Sequence, residues 1–294
     1  MSNTLIDHLA KFTEADWLAS VEELLPCVHE VDKNALQIWF RFYPLSLHRF
    51  IDAAEDRDAT LLGIVMQGEY ELKNRIASSH DFLYGHRFWP AVKCKIERFA
   101  EEFKGEPSDL TGLIKEVSIR VAEKNKVDRS LTNAIAAIGL ATLNQVGIEA
   151  FTAASGDVEK ATGVMAKSAD AIVKERAADD SQGIFGFLRT VDKRYSVEYK
   201  AADFSGKFEL YCDEEIASAS QKDHSKNWQE LDSRCWEGPV PIECTAASCG
   251  TCWVGVLGGQ EKLTAVDRRE RRQMKVFGYN QPEEEKPSRP ATPS

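Results

Sequence analysis

The chain has 294 residues, with 37 Lys and Arg against 47 Asp and Glu, a formal net charge of −10, and 43% hydrophobic residues. This composition excludes collagen-like, mucin-like and wholly disordered chains, and it is ample for a real hydrophobic core. The acidic balance argues against a nucleic-acid binder, which normally presents a basic face.

The opening MSNTLIDHLAKFTEADW has no basic stretch followed by an apolar one, so no signal peptide is expected. A cytoplasmic chain follows as the default, with its seven cysteines as thiols or metal ligands rather than disulfides. From Thr4 to about Val191 the pattern is helical. Thr13 before Glu14 and Asp16 predicts a cap for a helix ending near Leu25 and Pro26. Asp32–Tyr43, stopped by Pro44, and Leu47–Ala54 are the next candidates. Phe88, Val92, Ile96, Phe99 and Phe103 share one helical face, and Leu110, Ile114, Val117 and Val121 repeat that spacing.

Ser130–Gln145 is rich in Ala and Gly, which predicts a central helix approached closely by its neighbours. The charge-free run Ser130–Ile148 contains Thr132, Asn133, Thr142, Asn144 and Gln145. It is too polar for a membrane span and reads as a buried helix of a bundle. Val158–Ala178 predicts a last amphipathic helix. The expected division is a helical domain over 1–178, a linker over 179–192, a second domain over 193–279 and a disordered tail over 280–294.

After Asp192 the period changes to two. Tyr195, Val197 and Tyr199 alternate, as do Phe208, Leu210 and Cys212, which predicts a hairpin turning at Asp203–Lys207. Trp228–Leu231 predicts a short helix, Trp253–Leu257 a third strand left through Gly258-Gly259, and Val266–Phe277 a highly charged helix. The fold class expected is α+β.

Cys244, Cys249 and Cys252 stand in C-T-A-A-S-C-G-T-C, a C-x4-C-x2-C spacing. This is the plant-type spacing for a [2Fe–2S] cluster. Ala246, Ala247, Ser248, Gly250 and Thr251 are small, so backbone N–H groups can turn towards the sulfurs and stabilise the reduced cluster. On these residues the stretch from about Lys193 to Gly278 resembles the plant-type [2Fe–2S] ferredoxins of β-grasp fold, with bacterial members nearest. The likeness takes in the hairpin Tyr195–Cys212, Pro241-Ile242-Glu243 before the loop, and Gly258, Gly259 and Leu263 after it. It implies one-electron transfer between a separate reductase and an acceptor protein, without bond chemistry.

The family places a fourth cysteine well beyond the third and then a further strand, and no cysteine follows Cys252. Three readings stand open: a lost C-terminus leaving three thiolates, Cys235 as fourth ligand, or a ligand from a partner chain. A zinc site of Cys235, Cys244, Cys249 and Cys252, a degenerate domain without metal serving as a binding scaffold, and a Cys-x-x-Cys disulfide are the alternatives. The disulfide reading is disfavoured because a strand pattern, not a helix, follows Cys252.

Cys27, Cys94 and Cys212 are expected in the core. His80 and His86 lie six apart, not the four that share a helix face, and read as part of an aromatic core with satisfied histidines, with a cofactor pocket lined by His80-Asp81 and Phe82, Tyr84, Phe88 and Trp89 as the alternative. Trp39, Phe40, Phe42 and Tyr43 read as core as well. Arg268, Arg269, Arg271 and Arg272 read as a solvated face, with docking of an acidic partner as the alternative. The sequence holds no dinucleotide fingerprint, P-loop or Gly-x-Ser-x-Gly elbow, so a reductase would be a separate protein.

Overall fold

A computed structural model of the chain describes residues 4–63, 72–105, 109–177, 194–201, 204–212, 214–244 and 249–276. The expected linker over 179–192 and the tail over 280–294 lie outside the described residues, as do Ala246, Ala247, Ser248 and Phe277.

The architecture is α+β. Helices α1 (Thr4–Leu9), α2 (Glu14–Leu24), α3 (Glu30–Phe42), α4 (Leu45–Asp52) and α5 (Arg57–Gly63) open the chain. Helices α6 (Trp89–Glu102), α7 (Leu110–Asn125), α8 (Ser130–Ala153) and α9 (Ala169–Ala177) follow. Thr13 caps α2 as expected: its hydroxyl accepts from the Asp16 amide at 3.3 Å, and its own amide donates to Asp16 Oδ2 at 2.7 Å. The expected helix Val158–Ala178 is shorter. A single-turn 3₁₀ segment, Gly163–Ala166, precedes α9, and Gly163 at φ 57° stands outside right-handed helix geometry.

Helix α8 is the axis of the core, packed by α1, α3, α6 and α7. By length and composition it is long and apolar enough to cross a membrane, but most of it is buried inside the protein. Three of its polar side chains are answered by the surrounding elements, while Thr142 Oγ1 and Asn144 Nδ2 are buried without a partner among the described residues. Thr132 Oγ1 lies 2.8 Å from Ser118 Oγ, Asn133 Nδ2 donates to the Cys27 carbonyl at 2.7 Å, and Gln145 Nε2 to the Tyr43 carbonyl at 2.9 Å. Gly139 faces α6 so closely that a Cβ would sit 2.6 Å from Ile96 Cδ1 and 2.9 Å from Val92 Cγ1. Val92, Ile96 and Phe99 are buried there, as their spacing implies. Trp39, Phe40 and Tyr43 are buried too, whereas Phe42 is exposed, because the face of α3 that meets the core does not extend round to it.

Among the described residues the sheet is one antiparallel hairpin, β1 (Arg194–Lys200) with β2 (Ser205–Tyr211). Gly206, expected in the turn, is inside β2 opposite Tyr199. Phe208 and Leu210 pack on Ala219 of α10 (Ile216–Ser220), with Tyr195, Val197 and Tyr199 beside them. The expected helix at Trp228–Leu231 is α11. The expected strand at Trp253–Leu257 is absent: that segment runs as irregular chain along the helical body, and Leu257 packs against its core. Helix α12 (Arg268–Val276) ends the described chain.

Asp32, at the start of α3, is fully buried. It accepts from the amides of Tyr84 at 2.7 Å and Gly85 at 2.8 Å. Burial pushes its carboxyl up to about 6, against the pull of those two amides, Arg176 and His29. The folded chain therefore binds more protons than the unfolded chain between about pH 4 and 6. Stability falls as pH rises through that window and is flat above it, by on the order of 2–3 kcal/mol in all. Denaturant titrations of the wild type and Asp32→Asn across pH 4–7 should show that slope in the former and its loss in the latter. Gly139→Val should cost about 1–3 kcal/mol in the same assay by overpacking α6 against α8.

Candidate functional site

The two limbs of the cysteine loop are tied together. Glu243 precedes Cys244 and Thr251 precedes Cys252, and Thr251 Oγ1 donates to Glu243 Oε2 at 2.8 Å. The Trp253 amide closes a turn onto the Gly250 carbonyl at 3.1 Å, with Gly250 at φ 76°. Cys244, Cys249 and Cys252 are all half-buried, and none of the seven cysteines is in a disulfide. Burial pushes the Cys252 thiol up, and Cys249 and then Cys244 add to the shift. Cys252 thus lies in the field of both other thiols. A metal ion held by thiolates would displace the protons of its ligands on binding.

Three thiols suit iron or zinc by donor type, one short of the four that either metal usually takes. Among the described residues, which include Cys244, Cys249 and Cys252, no three or more His, Cys, Asp or Glu side chains are grouped so as to hold a metal ion. Cys235 is fully buried, and its Sγ lies 3.5 Å from the Pro239 carbonyl as donor. Its thiol is pushed up to about 11 by burial and then by Asp232. Elsewhere in this half, Tyr199 meets Trp228 edge-on with ring centroids 6.1 Å apart, and Phe204 lies tilted on Trp228 at 5.4 Å.

The other three cysteines, expected in the core, are exposed. Cys94 follows Val92 by two positions, which puts it across α6 from the buried stripe. Cys27 sits in the 3₁₀ turn Leu25–Cys27. Cys212 would continue the inward alternation of Phe208 and Leu210, but β2 ends at Tyr211. A turn there, closed by the Glu214 amide on the Tyr211 carbonyl, carries Cys212 outward.

His80 and His86 do meet, with Nδ1 atoms 2.8 Å apart. The chain between them bends through a 3₁₀ turn, Tyr84–Phe88, so helical spacing does not govern the pair. His80 is fully buried on Trp89, with ring centroids 4.3 Å apart, and its Nε2 has no partner among the described residues. Burial pushes its ring far below the usual histidine range, with His86 adding to the effect. It is a core residue, as expected, but incompletely satisfied.

The limb that leaves the cysteine loop is held by the helical body. Asn34 Nδ2 reaches the Leu257 carbonyl at 3.4 Å and Gln260 Oε1 at 2.5 Å. Arg176 Nη1 donates to the Val31 carbonyl at 2.9 Å and reaches the Leu257 carbonyl at 3.4 Å. Lys200 of β1 pairs with Asp81 at 3.0 Å. Nothing in the sequence marks Asn34 or Arg176, since each is a polar residue on a helix surface. Beyond this limb, α12 carries Arg268, Arg269, Arg271, Arg272 and Lys275 against a single Glu270, with Asp267 just before it in the field of Arg269 and Arg271. No protein-family model, curated protein or solved structure matches the chain.

Alkylation of the native chain, mapped by mass spectrometry, should modify Cys27, Cys94 and Cys212 first and Cys235 last. Prompt labelling of Cys235 would contradict its burial against Pro239.

Proposed function

We propose that the chain is a one-electron carrier in which Cys244, Cys249 and Cys252 hold a [2Fe–2S] cluster within a ferredoxin-like domain of β-grasp type. The observation that carries this reading is the C-x4-C-x2-C spacing in a loop whose two limbs are tied by Thr251 and Glu243, with three half-buried cysteines outside any disulfide. When bound, such a cluster accepts and returns single electrons, with its potential set by hydrogen bonds, charge and exposure around the sulfurs. The chain's own residues bind it, hold the loop shut through Thr251 and Glu243, and leave the sulfurs half-exposed. That exposure suits exchange with separate redox proteins, a reductase on one side and an acceptor on the other, in the cytoplasm. The cations of α12, together with exposed Val254, Leu263 and Val266, suit a partner with an acidic face.

A second reading is favoured by the burial of Cys235 with its thiol on the Pro239 carbonyl: a domain of this kind that binds zinc or no metal and serves as a scaffold. Anaerobic purification followed by a visible spectrum and iron and acid-labile sulfide analysis separates the two. The carrier reading expects charge-transfer bands and two irons per chain after reconstitution, with uptake falling as pH drops because thiols must ionise. A colourless, iron-free chain, or one holding zinc alone, would refute it. Cys235→Ser should leave iron content unchanged if Cys235 is purely a core residue, and lower it if Cys235 supplies the fourth thiolate.

A further inference from the structure

We propose that the helical body positions the cysteine loop, with Asn34 and Arg176 as positioning residues that clamp the limb leaving Cys252. The inference rests on the reading of Cys244, Cys249 and Cys252 as cluster ligands. It gives the larger part of the chain a role: it supplies the rigid surface on which the site is laid.

Three observations converge on residues 255–260. Asn34 of α3 and Arg176 of α9 both reach the Leu257 carbonyl, so one peptide oxygen is held from two helices. Gly255 lies against α3 so closely that a Cβ would stand 2.9 Å from Ile38 Cγ2 and 3.0 Å from its Cδ1. The Leu257 side chain packs on the main core. Asn34 and Ile38 are four apart and therefore share one face of α3.

Arg176 is itself fixed. Its Nη1 also holds the Val31 carbonyl, and it lies in the field of the Asp32 carboxyl beneath α3. The clamp begins three residues after Cys252. A strand in a sheet would supply such an anchor through backbone ladder bonds, but this limb has no strand neighbour among the described residues. Side-chain donors from α3 and α9 take that place. Sites held on helices are more precise than sites on free loops, and misplacement by about 1 Å is enough to spoil one.

The test uses the full-length chain in two states. In metal-free protein, pulse labelling with N-ethylmaleimide gives the rate at each cysteine. The double variant Asn34→Ala/Arg176→Ala should raise the Cys252 rate at least about tenfold, since a hydrogen bond from a charged donor is lost. Cys94 and Cys235 should be unchanged, and Arg176→Lys, which keeps a donor, should stay near wild type. In reconstituted protein the same double variant should hold less iron and shift the midpoint potential and electron paramagnetic resonance signal of what remains.

Unchanged Cys252 rates and an unchanged potential would overturn the proposal. Equal gains at Cys235 and Cys252 would mean that the double variant opens as a whole. Gly255→Ala, which pushes the limb off Ile38 without removing a donor, then decides by the same comparison: a selective gain at Cys252 supports the clamp and no gain overturns it. A wild-type chain that takes up no iron defeats the carrier reading and leaves the thiol rates to judge the clamp.

Discussion

Helix α8 has no charged side chain from Ser130 to Ile148, and a helix of that kind is stable in water only when covered all round. The rest of the helical body answers that demand. Burial alone is non-directional and would leave the neighbours free to slide. Three polar groups on α8 limit that freedom, because each has its partner on a different element, whereas Thr142 Oγ1 and Asn144 Nδ2 have none among the described residues. Thr132 is matched by Ser118 on α7, Asn133 by the Cys27 carbonyl at the end of α2, and Gln145 by the Tyr43 carbonyl at the end of α3. A partner shifted by one turn would leave a buried donor unpaired, at a cost of about 1–3 kcal/mol. Hydrophobic area holds the bundle together, and these hydrogen bonds set its register.

The placement of α3 carries that order outward to the thiols. Its inner face, with Ala35, Leu36, Trp39 and Phe40, is committed to the core. The buried Asp32 ties its first turn to the Tyr84–Gly85 backbone, so the helix cannot rotate about its axis. Asn34 and Ile38 are thereby presented at a fixed angle, and the limb after Cys252 is laid across them. The same Asp32 attracts Arg176, whose guanidinium bridges α3 and the limb. One buried carboxylate thus bears on both the packing of α3 and the position of the cysteine loop.

What was legible in the sequence follows from what kind of physics wrote it. The stripe Val92, Ile96 and Phe99 and the central place of Ser130–Gln145 are periodic signals with one reading, and both stand in the structure. Trp253–Leu257 is a short apolar run, which periodicity cannot assign, and a long-range contact decided it: Gly255 lets the backbone lie on Ile38 instead of pairing in a sheet. The meeting of His80 and His86 was hidden by arguing from helical spacing across a segment that is a 3₁₀ turn. The exposure of Cys94, by contrast, was written plainly, since two positions from Val92 is the far side of a helix. The spacing of Cys244, Cys249 and Cys252 named a chemistry, but Asn34 and Arg176 lie in distant helices where no local pattern could connect them to it.

The small size of the C-terminal structure makes these long-range contacts more than decoration. A two-stranded hairpin is marginal in water by itself. Here its buried apolar cluster amounts to Phe208, Leu210 and Ala219, with Tyr195, Val197, Tyr199 and Ile216 half-covered around them. Such a core is too small to fix, by itself, a loop that carries three cysteines. The missing stabilisation must come from outside the hairpin. The structure offers it at two places, the Lys200–Asp81 pair at the end of β1 and the Asn34–Arg176 contacts on the limb. The ion pair is part-exposed and worth little, whereas the clamp joins backbone, side chain and core packing at one carbonyl. The limb that leaves the cysteine loop therefore leans on the helical body through α3 and α9, whose own places are set from α8 outward.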